Sequence, residues 1–311
     1  MNETTQKILQ QINSVIIGKE PIVAKVLMAV LAKGHVLLED VPGVGKTTMA
    51  LSFARTLGLE TKRIQFTSDT MPSDIIGYSV YQKEAGEFVY KPGTVMTNLL
   101  LADEINRTSS KTQSALLEAM EEYHVTVDGT TYPLPSPFVV LATQNPVGSA
   151  GTTLLPASQM DRFIIRTSMG YPDMRSQISI LRDRHHENPL DKLSPVVNRD
   201  ELETLIEQTA QVYMSDAVYE YIAQLIQKTR EHEMIELGIS PRGALALCRM
   251  AKAHAFVGGR DFVTPQDIAD VFPDVCCHRF VMSSKARLHR VSAQDAAAAI
   301  LGSVPAPQVR E

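Results

Sequence analysis

Residues 40–48 read DVPGVGKTT and directly follow a short apolar run. The small residues Gly43 and Gly45 let backbone N–H groups approach phosphate oxygens closely, and Lys46 adds a positive charge for them. The hydroxyl of Thr47 can ligate Mg²⁺, and a helix that begins there points the positive end of its dipole at the anion. The stretch therefore predicts a strand, a phosphate-binding loop and a helix in direct succession.

Asp40 stands where the common phosphate-loop pattern has its first glycine. This position begins the turn and lies farther from the phosphates than Gly45, so we expect the departure to be tolerated. An ordinary glycine-rich turn between a strand and a helix is the alternative interpretation. The residues predicted to contact the nucleotide in this loop are Pro42, Gly43, Val44, Gly45, Lys46, Thr47 and Thr48.

Apolar runs alternate with helical patterns up to about residue 170. The runs are rich in Leu, Val and Ile and mostly lack alternation with polar residues, which is typical of strands buried on both faces of a parallel sheet. An α/β domain is therefore predicted. The runs are His35–Glu39, Arg63–Phe66, Asn98–Asp103, Phe138–Thr143 and Phe163–Ser168. The helical patterns among them are Pro21–Ala32, Thr47–Leu57 and Lys111–Tyr123.

Two hairpins are predicted to interrupt this alternation, at Ile76–Pro92 and at Val125–Tyr132. After Pro172 the strand signal fades, and several of the helical patterns that follow begin with capping residues. We therefore expect a nucleotide-binding α/β domain over residues 1–171 and a small all-helical domain over residues 172–311. The later helical patterns are Met174–His186, Asp200–Thr209, Asp216–His232, Pro241–Phe256, Pro265–Val271 and Ala293–Leu301.

The predicted strand that begins at Asn98 ends in two adjacent carboxylates, Asp103 and Glu104. Asp103 at the strand tip can hold the Mg²⁺ shell together with Thr47, and Glu104 can polarise an attacking water as a base. Charged strand ends are common, so the pair alone is modest evidence. In the same α/β domain as a phosphate loop, the pair indicates an ATP-hydrolysing site.

The composition, net charge and cysteine content of the chain indicate which class of protein it belongs to. Apolar residues make up 44% of the 311 residues, enough for a sizeable core, and the net charge of −5 is spread evenly with no basic tail. The three cysteines fit neither a disulfide framework nor a metal-binding pattern. The polar first residues are unlike a secretory signal, and no apolar stretch is long enough to span a membrane. We therefore expect a soluble, cytoplasmic protein.

Six segments occur in the order and spacing seen in AAA+ ATPases: DVPGVGKTT, LLLADEINR, KTQSALLEAMEE, ATQNP, MDRF and SPRGA. More narrowly, the chain resembles the MoxR family, from Ile17-Gly18 to about Arg279. The resemblance implies a P-loop AAA+ domain with a central parallel five-stranded sheet in the order 5-1-4-3-2, and a helical lid. MoxR-like chains also resemble this one in accepting Asp at position 40.

The resemblance also implies roles for residues outside the loop. Asn145 matches the first sensor, whose amide bonds both the γ-phosphate and the water; a turn residue before a proline is the alternative. Ile17 and Gly18 match residues that contact adenine, with plain core packing as the alternative. For the neighbouring Ile16, both interpretations stay open.

Two arginines match positions that act on the γ-phosphate. Arg162 resembles the arginine finger, which faces a neighbour's nucleotide and therefore implies a ring; a salt bridge is the alternative. Arg242 matches the second sensor and would close the lid on ATP. A cation at a helix start opposes the helix dipole, and a nearby phosphate would offset that cost. Arg107 and Arg166 are lesser candidates for the finger.

As a whole, the resemblance implies a Mg²⁺-dependent ATPase that forms a homo-hexamer and remodels a protein client in a chaperone-like way. Such proteins often occur beside partners with von Willebrand factor A domains. The two hairpins are candidates to reach the pore of the ring. Their sequences show few adjacent aromatic residues, so threading of a peptide stays open.

Two other functions compete with this one. A nucleic-acid motor would need basic hairpin tips, but Lys83 and Lys91 are balanced by Glu84 and Glu87, so nucleic acid is disfavoured. An ATP-dependent binding switch with incidental turnover would not need a water-activating base such as Glu104.

Overall fold

The computed structural model of this chain describes residues 2–40, 43–84, 86–145, 155–183 and 188–307. At its centre lies a five-stranded sheet in which all neighbouring strands are parallel. Counted along the chain, the five strands lie in the order 2-3-4-1-5, which is the predicted order 5-1-4-3-2 seen from the other side. The predicted α/β fold with a helical lid is therefore confirmed.

Most predicted elements are observed within a few residues of their expected bounds. Helices α1, α4, α6 and α12 and the pair β10–β11 were not predicted. The strands are β1 (His35–Glu39), β2 (Thr61–Gln65), β3 (Gly77–Gln82), β4 (Glu87–Pro92), β5 (Leu99–Asp103), β6 (His124–Val127), β7 (Thr130–Pro133), β8 (Val139–Gln144), β9 (Phe163–Thr167), β10 (Ile235–Leu237) and β11 (Val281–Met282). The helices are α1 (Glu3–Asn13), α2 (Glu20–Leu31), α3 (Lys46–Thr56), α4 (Pro72–Ile76), α5 (Ser110–Glu122), α6 (Ala157–Met160), α7 (Met174–Asp183), α8 (Arg199–Ala210), α9 (Asp216–Glu231), α10 (Pro241–Val257), α11 (Pro265–Cys276), α12 (Ser284–His289) and α13 (Ala293–Ser303).

Strands β1, β5, β8 and β9 are largely buried on both faces, as their continuous apolar runs predicted. For β2 this prediction was wrong: it lies at the edge of the sheet and is partly exposed. In β5, Leu99 and Leu101 join one hydrophobic cluster, whereas Leu100 and Ala102 join a second. This division follows from the two-residue period of a strand, which sends successive side chains to opposite faces. Helix α5 covers the second cluster through residues such as Leu116. At roughly 1.5–3 kcal/mol for each buried leucine, these clusters hold the sheet in place.

The parallel strands place their carboxyl ends at one edge of the sheet, which we call the carboxyl edge. The phosphate loop follows β1 there, and Asp103 and Gln144 end β5 and β8. Lys33 and Arg162 precede β1 and β9, so they lie at the opposite, amino edge. A five-residue strand is about 16 Å long, so the two edges are separate places on the molecule.

Both predicted hairpins are present, as β3–β4 and β6–β7. They are joined to each other by Tyr90 and Tyr132, whose rings stack with centroids 4.0 Å apart and planes 13° apart. Beyond this base, β3 and β4 extend outward as an antiparallel ribbon in which Tyr81 lies directly opposite Phe88.

The second part of the chain is helical, but β10 and β11 form a short antiparallel pair within it. The two extended segments exchange backbone hydrogen bonds that would otherwise lack partners. Helix α10 packs against α2, α8 and α11, and one hydrophobic cluster continues from Val26 in the first part to Leu247 in the second. The division of the chain at residues 171 and 172 stays a prediction.

Across the ranges that the structure describes, none of the helices combines the length and apolarity that crossing a bilayer requires.

Candidate active site

A cavity of about 380 Å³ opens at the carboxyl edge of the sheet. It brings together the phosphate loop, the twin carboxylates after β5 and side chains from β2 and β8, which are far apart in sequence. The residues that line it are Gly43, Gly45, Lys46, Thr47, Thr48, Arg63, Gln65, Asp103, Glu104 and Thr143. The sequence predicted seven of these ten residues as part of the site, and Arg63, Gln65 and Thr143 were missed.

The phosphate loop has a backbone that its glycines make possible. Gly43 and Gly45 have φ angles of +87° and +98°, a region that residues with a Cβ rarely adopt. Val44 lies between them and is partly buried against the core. Lys46 opens α3 and donates from Nζ to the carbonyl of Asp40 at 3.0 Å. The predicted contact of Pro42 lies outside the described residues.

The charge of Lys46 is set by opposing effects. Burial lowers the pKa of this ammonium group below its ordinary value, while the nearby carboxylates of Asp40, Asp103 and Glu104 act to raise it. The three carboxylates therefore offset part of the effect of burial on the Lys46 ammonium group.

Thr143 ties the two carboxylate residues together. Its hydroxyl donates to Asp103 Oδ1 at 2.9 Å and accepts from the backbone N–H of Glu104, also at 2.9 Å. Glu104 has φ +56° and ψ +48°, a left-handed conformation that is strained for a residue with a side chain. Such strain persists only where surrounding contacts enforce it, and it is common at functional sites.

Both carboxylates have nitrogen donors at their outer oxygens. Arg63 forms an ion pair with Asp103 at 2.8 Å, and Gln65 Nε2 donates to Glu104 Oε2 at 3.0 Å. Arg107 forms an ion pair with the same Glu104 oxygen at 2.6 Å. Arg107 was a lesser candidate for the arginine finger, and a role toward a neighbouring subunit stays a prediction.

The donor set fits ATP with Mg²⁺. Thr47 offers a hydroxyl and Asp103 a carboxylate, which are hard oxygen ligands of the kind Mg²⁺ prefers when phosphates and waters complete its shell. No cluster of three or more histidine, cysteine or acidic side chains suited to a metal occurs among the residues described, so a dedicated all-protein cage is not formed there. A Cβ built on Gly43 would meet nothing within 4 Å, so the loop leaves open space for an anion.

The other predicted contacts do not line this cavity. Asn145 directly follows β8, two residues after Thr143, and its carbonyl accepts from Asn106 Nδ2 at 3.3 Å. Gly18 has φ +69° and lies so close to the Ser176 hydroxyl of α7 that no Cβ would fit. Ile17 beside it is partly exposed, whereas Ile16 is 5% exposed and belongs to the core. The roles of these residues toward a sensor or adenine stay predictions.

The two predicted γ-phosphate arginines come together at the amino edge. Arg162 Nε lies 2.8 Å from Glu121 Oε2, and Arg242 forms an ion pair with the other oxygen of the same carboxylate. Both line a cavity of about 260 Å³ with Lys33 and Arg249. The salt bridge that was the alternative for Arg162 is therefore present, and Glu121 offsets the cost of a cation at the start of α10.

Within one chain, these arginines lie at the edge opposite the phosphate loop. Neither Arg162 nor Arg242 lines the cavity that holds Lys46. Helix α10 is fixed there by Ser240, which caps it at the Gly243 N–H and donates to Asp161 at 3.0 Å. Contact of either arginine with ATP would therefore use the site of a neighbouring subunit.

Comparisons with known proteins agree with this geometry. Residues 35–165 match the model of the ATPase family associated with various cellular activities (AAA), and residues 227–300 match the AAA lid domain. YeaC of Bacillus subtilis, described as uncharacterized, is 46% identical over 98% of this chain and 95% of its own length. Chaperone MoxR1 of Mycobacterium tuberculosis is 39% identical over 98% of this chain and 83% of its own length.

A crystal structure of a protein from Cytophaga hutchinsonii has the same fold. It superposes with a TM-score of 0.92 at 37% identity and covers 98% of this chain and 95% of that one. Family models match both parts of the chain, and relatives match it nearly from end to end. The chain therefore belongs to the MoxR family of AAA+ ATPases.

Proposed function

We propose that this protein hydrolyses ATP with Mg²⁺ in a ring of six copies and uses the cycle to remodel a protein client. The observation that carries the proposal is the common cavity of Lys46 and of the Asp103–Glu104 pair at the carboxyl edge. Bound Mg²⁺ would neutralise phosphate charge, with Thr47 and Asp103 as its ligands.

The residues around Glu104 position it as the base. Thr143 fixes its backbone, and Gln65 and Arg107 hold its carboxylate at the rim of the cavity. These contacts hold the carboxylate where it can accept a proton from an attacking water. A positioned base of this kind contributes about 10²–10⁴-fold to a rate, which is why Glu104 favours turnover over a pure binding switch.

The arginine pair supports a ring with one repeated contact. The acceptor site lies at the carboxyl edge and the arginines lie at the amino edge, so one copy cannot bring them together. A head-to-tail contact, in which the amino edge of one subunit meets the carboxyl edge of the next, would do so and would repeat around a closed ring. Arg162 and Arg242 would then leave Glu121 for the γ-phosphate of the neighbour's ATP.

The β3–β4 hairpin is our candidate for the contact with the client. Tyr81 and Phe88 are 52% and 73% exposed, and their rings lie 5.3 Å apart. They are seven residues apart in sequence, so only the antiparallel pairing makes them neighbours. Exposed aromatic pairs are typical of protein contact surfaces. The client class we propose is a protein complex, including partners with von Willebrand factor A domains, in the cytoplasm.

Two variants test the active site. Lys46→Ala should abolish binding of a fluorescent ATP analogue, because the phosphates lose their central cation. Glu104→Gln should keep binding but lose about 100-fold or more of the ATP turnover. Lys83→Ala and Glu118→Gln change exposed residues outside the cavity and serve as matched controls. Wild-type turnover in Lys46→Ala or Glu104→Gln would refute the site.

A trapping experiment tests the client surface. Tagged Glu104→Gln protein, held in ATP, should retain a client on pull-down from the source cells, and adding Tyr81→Ser with Phe88→Ser should remove it. The same two changes in wild-type protein should leave its basal ATP turnover intact, since neither ring lines the cavity. Equal client recovery with and without the aromatic pair would contradict this role for the hairpin.

A further inference from the structure

The unusual first residue of the phosphate loop, Asp40, is buried, and both oxygens of its carboxylate accept hydrogen bonds. Only 4% of Asp40 is exposed. Its carboxylate accepts three hydrogen bonds: from the Ser168 hydroxyl at 2.8 Å, from the Met169 N–H at 2.5 Å and from the Gly170 N–H at 2.9 Å. These three donors form one short segment directly after β9, so a single carboxylate clasps three successive residues.

Those contacts explain how an acid is tolerated beside a phosphate site. A buried carboxylate is costly unless it is hydrogen-bonded, and an unshielded one would repel ATP. Here the carboxylate is directed at residues 168–170, while the carbonyl of Asp40 faces the other way and accepts from Lys46 at 3.0 Å. Hydrogen bonds to a charged acceptor are roughly twice as strong as neutral ones, so Asp40 holds residues 168–170 strongly.

Residues 168–170 are also the first part of the segment 168–173 that joins β9 to α7. Met169 is 4% exposed, and its methyl group would lie 3.9 Å from a Cβ built on Gly45 in the phosphate loop. A few residues later, Ser176 of α7 packs against Gly18, in the segment predicted to contact adenine. The linker thus lies close to the phosphate loop at Met169, and the helix that follows it contacts the segment predicted to bind adenine.

We propose that Asp40 is a positioning residue that couples the phosphate loop to the linker at residues 168–170, so that nucleotide in the loop sets the orientation of α7. Among the described residues, Met169 of the linker also packs near Gly45 of the loop, and side-chain packing of this kind tolerates sliding. Three charge-assisted hydrogen bonds to one carboxylate do not, because each fixes a direction as well as a distance. The proposal rests on the nucleotide site proposed above.

Hydrogen exchange on the full-length chain tests the coupling. Wild-type protein and Asp40→Gly are compared with and without an ATP analogue that cannot be hydrolysed, at saturation. Glycine is the residue that the common loop pattern has here, so this variant keeps the loop's backbone while removing the carboxylate. Asp40→Asn keeps the shape of the side chain but replaces one acceptor oxygen with an NH₂ group, which cannot accept from the linker. Ser168→Ala removes the hydroxyl that donates to Asp40. Asp261→Asn, an exposed aspartate in the helical part, is the matched control.

In wild type, the analogue should protect amides in both the loop, residues 43–56, and the linker with α7, residues 168–182. In Asp40→Gly, loop protection should persist while the nucleotide-dependent protection of the linker falls about tenfold, as expected for losing hydrogen bonds to a charged group. Asp40→Asn and Ser168→Ala should show smaller losses, and Asp261→Asn none.

Full nucleotide-dependent protection of residues 168–182 in Asp40→Gly would overturn the coupling, as would a wild-type linker that does not respond to bound nucleotide. If wild-type protein failed to bind the analogue at all, the nucleotide site itself would be refuted. Binding is measured separately by fluorescence, so the two failures are distinguishable.

Discussion

At the scale of single residues, the active site depends on a side chain that carries no charge. Thr143 lies at the second-last position of β8, is fully buried and bridges the Asp103 carboxylate and the Glu104 backbone. Glu104 itself has a strained, left-handed backbone. The hydroxyl therefore holds Glu104, the proposed base, in a conformation that it would not adopt alone.

Changing this threonine should separate turnover from binding. Thr143→Val keeps the shape but leaves the Glu104 N–H without its acceptor, and we expect ATP turnover to fall about tenfold. The affinity for ATP should change less, because Lys46 and the loop stay in place. Thr143→Ser restores the hydroxyl and should recover most of the rate. Steady-state kinetics and analogue binding measure both quantities, and an unchanged rate in Thr143→Val would exclude the bridging role.

His35, at the start of β1, should make stability depend on pH. The Val140 N–H donates to its Nδ1 at 3.0 Å, and its Nε2 lies 2.9 Å from the Met120 carbonyl, so the neutral ring donates from Nε2. Burial lowers the pKa of His35 to about 4; the hydrogen bond to Met120 opposes this, and Arg249 adds to it.

Since the folded pKa of His35 lies below the unfolded value near 6.5, the unfolded chain takes up the proton first as the pH falls. Stability from the neutral ring is complete above about pH 6.5 and is lost between there and pH 4, by about 3 kcal/mol. His35→Gln, which can also donate and accept but does not titrate, should lack this part of the pH dependence. Urea unfolding of both proteins from pH 7 to 4.5 measures the difference. Parallel curves for the two would show that His35 does not contribute.

At the scale of elements, helix starts in the second part are fixed by capping boxes. Thr264 and Asp267 exchange side-chain and backbone hydrogen bonds at the start of α11, and Ser292 and Asp295 do the same at α13. The capping box of α11 also contributes to tertiary structure, because Asp267 is 1% exposed and forms an ion pair with Arg260 outside the helix.

The two boxes form a matched pair of tests. Asp267→Asn should lower the free energy of unfolding by about 3 kcal/mol, because the buried carboxylate that Arg260 and His254 bind is lost, whereas the exposed Asp295→Asn should cost clearly less. Burial alone would raise the pKa of Asp267, but hydrogen bonds from Arg260, His254 and Thr264 outweigh it and hold the pKa well below its usual range.

With its folded pKa depressed, Asp267 stabilises the protein above about pH 4 and loses this effect as the solution becomes more acidic. Urea unfolding at pH 7 compares the two variants with wild type. Equal losses in Asp267→Asn and Asp295→Asn would mean that the cap alone, and not the buried ion pair, accounts for the effect.

At the scale of the whole molecule, the sheet separates two groups of residues that the proposed ATP hydrolysis would need together. Lys46 and Glu104 lie at the carboxyl edge, and Arg162 and Arg242 lie at the amino edge, bound to Glu121. In the function proposed here, a single copy binds nucleotide but lacks the two arginines at its own site. If the next copy supplies them, turnover depends on assembly, so we expect the specific activity of wild-type protein to rise with its concentration.

Mixing variants tests whether the two edges act in trans. Arg162→Ala and Glu104→Gln should each be nearly inactive alone. In a 1:1 mixture, about a quarter of the contacts pair an intact cavity with an intact arginine, so part of the activity should return. Lys46→Ala mixed with Glu104→Gln is the matched control, because both changes lie at the same edge and no contact is complete. If no ratio of the first pair exceeds the control, the arginine does not act across subunits.

The sequence determined the local chemistry of this protein. The phosphate loop, the acid pair after an apolar strand and the helix caps each depend on neighbours within a few residues, and the structure has them at the predicted positions. The two-sided burial of β1, β5, β8 and β9 follows from their continuous apolar runs, and the resemblance supplied the order of the strands.

Only the tertiary structure decided what distant residues do to one another. Thr143, Arg63 and Gln65 are ordinary strand residues in the sequence, and the parallel sheet alone brings their side chains to one edge. Tyr81 and Phe88 become a pair only through the hairpin, and Arg162 and Arg242 share Glu121 only because α10 packs at the amino edge. Asp40 was expected to be merely tolerated, yet it clasps residues 168–170, a contact over more than 120 positions that no local pattern encodes.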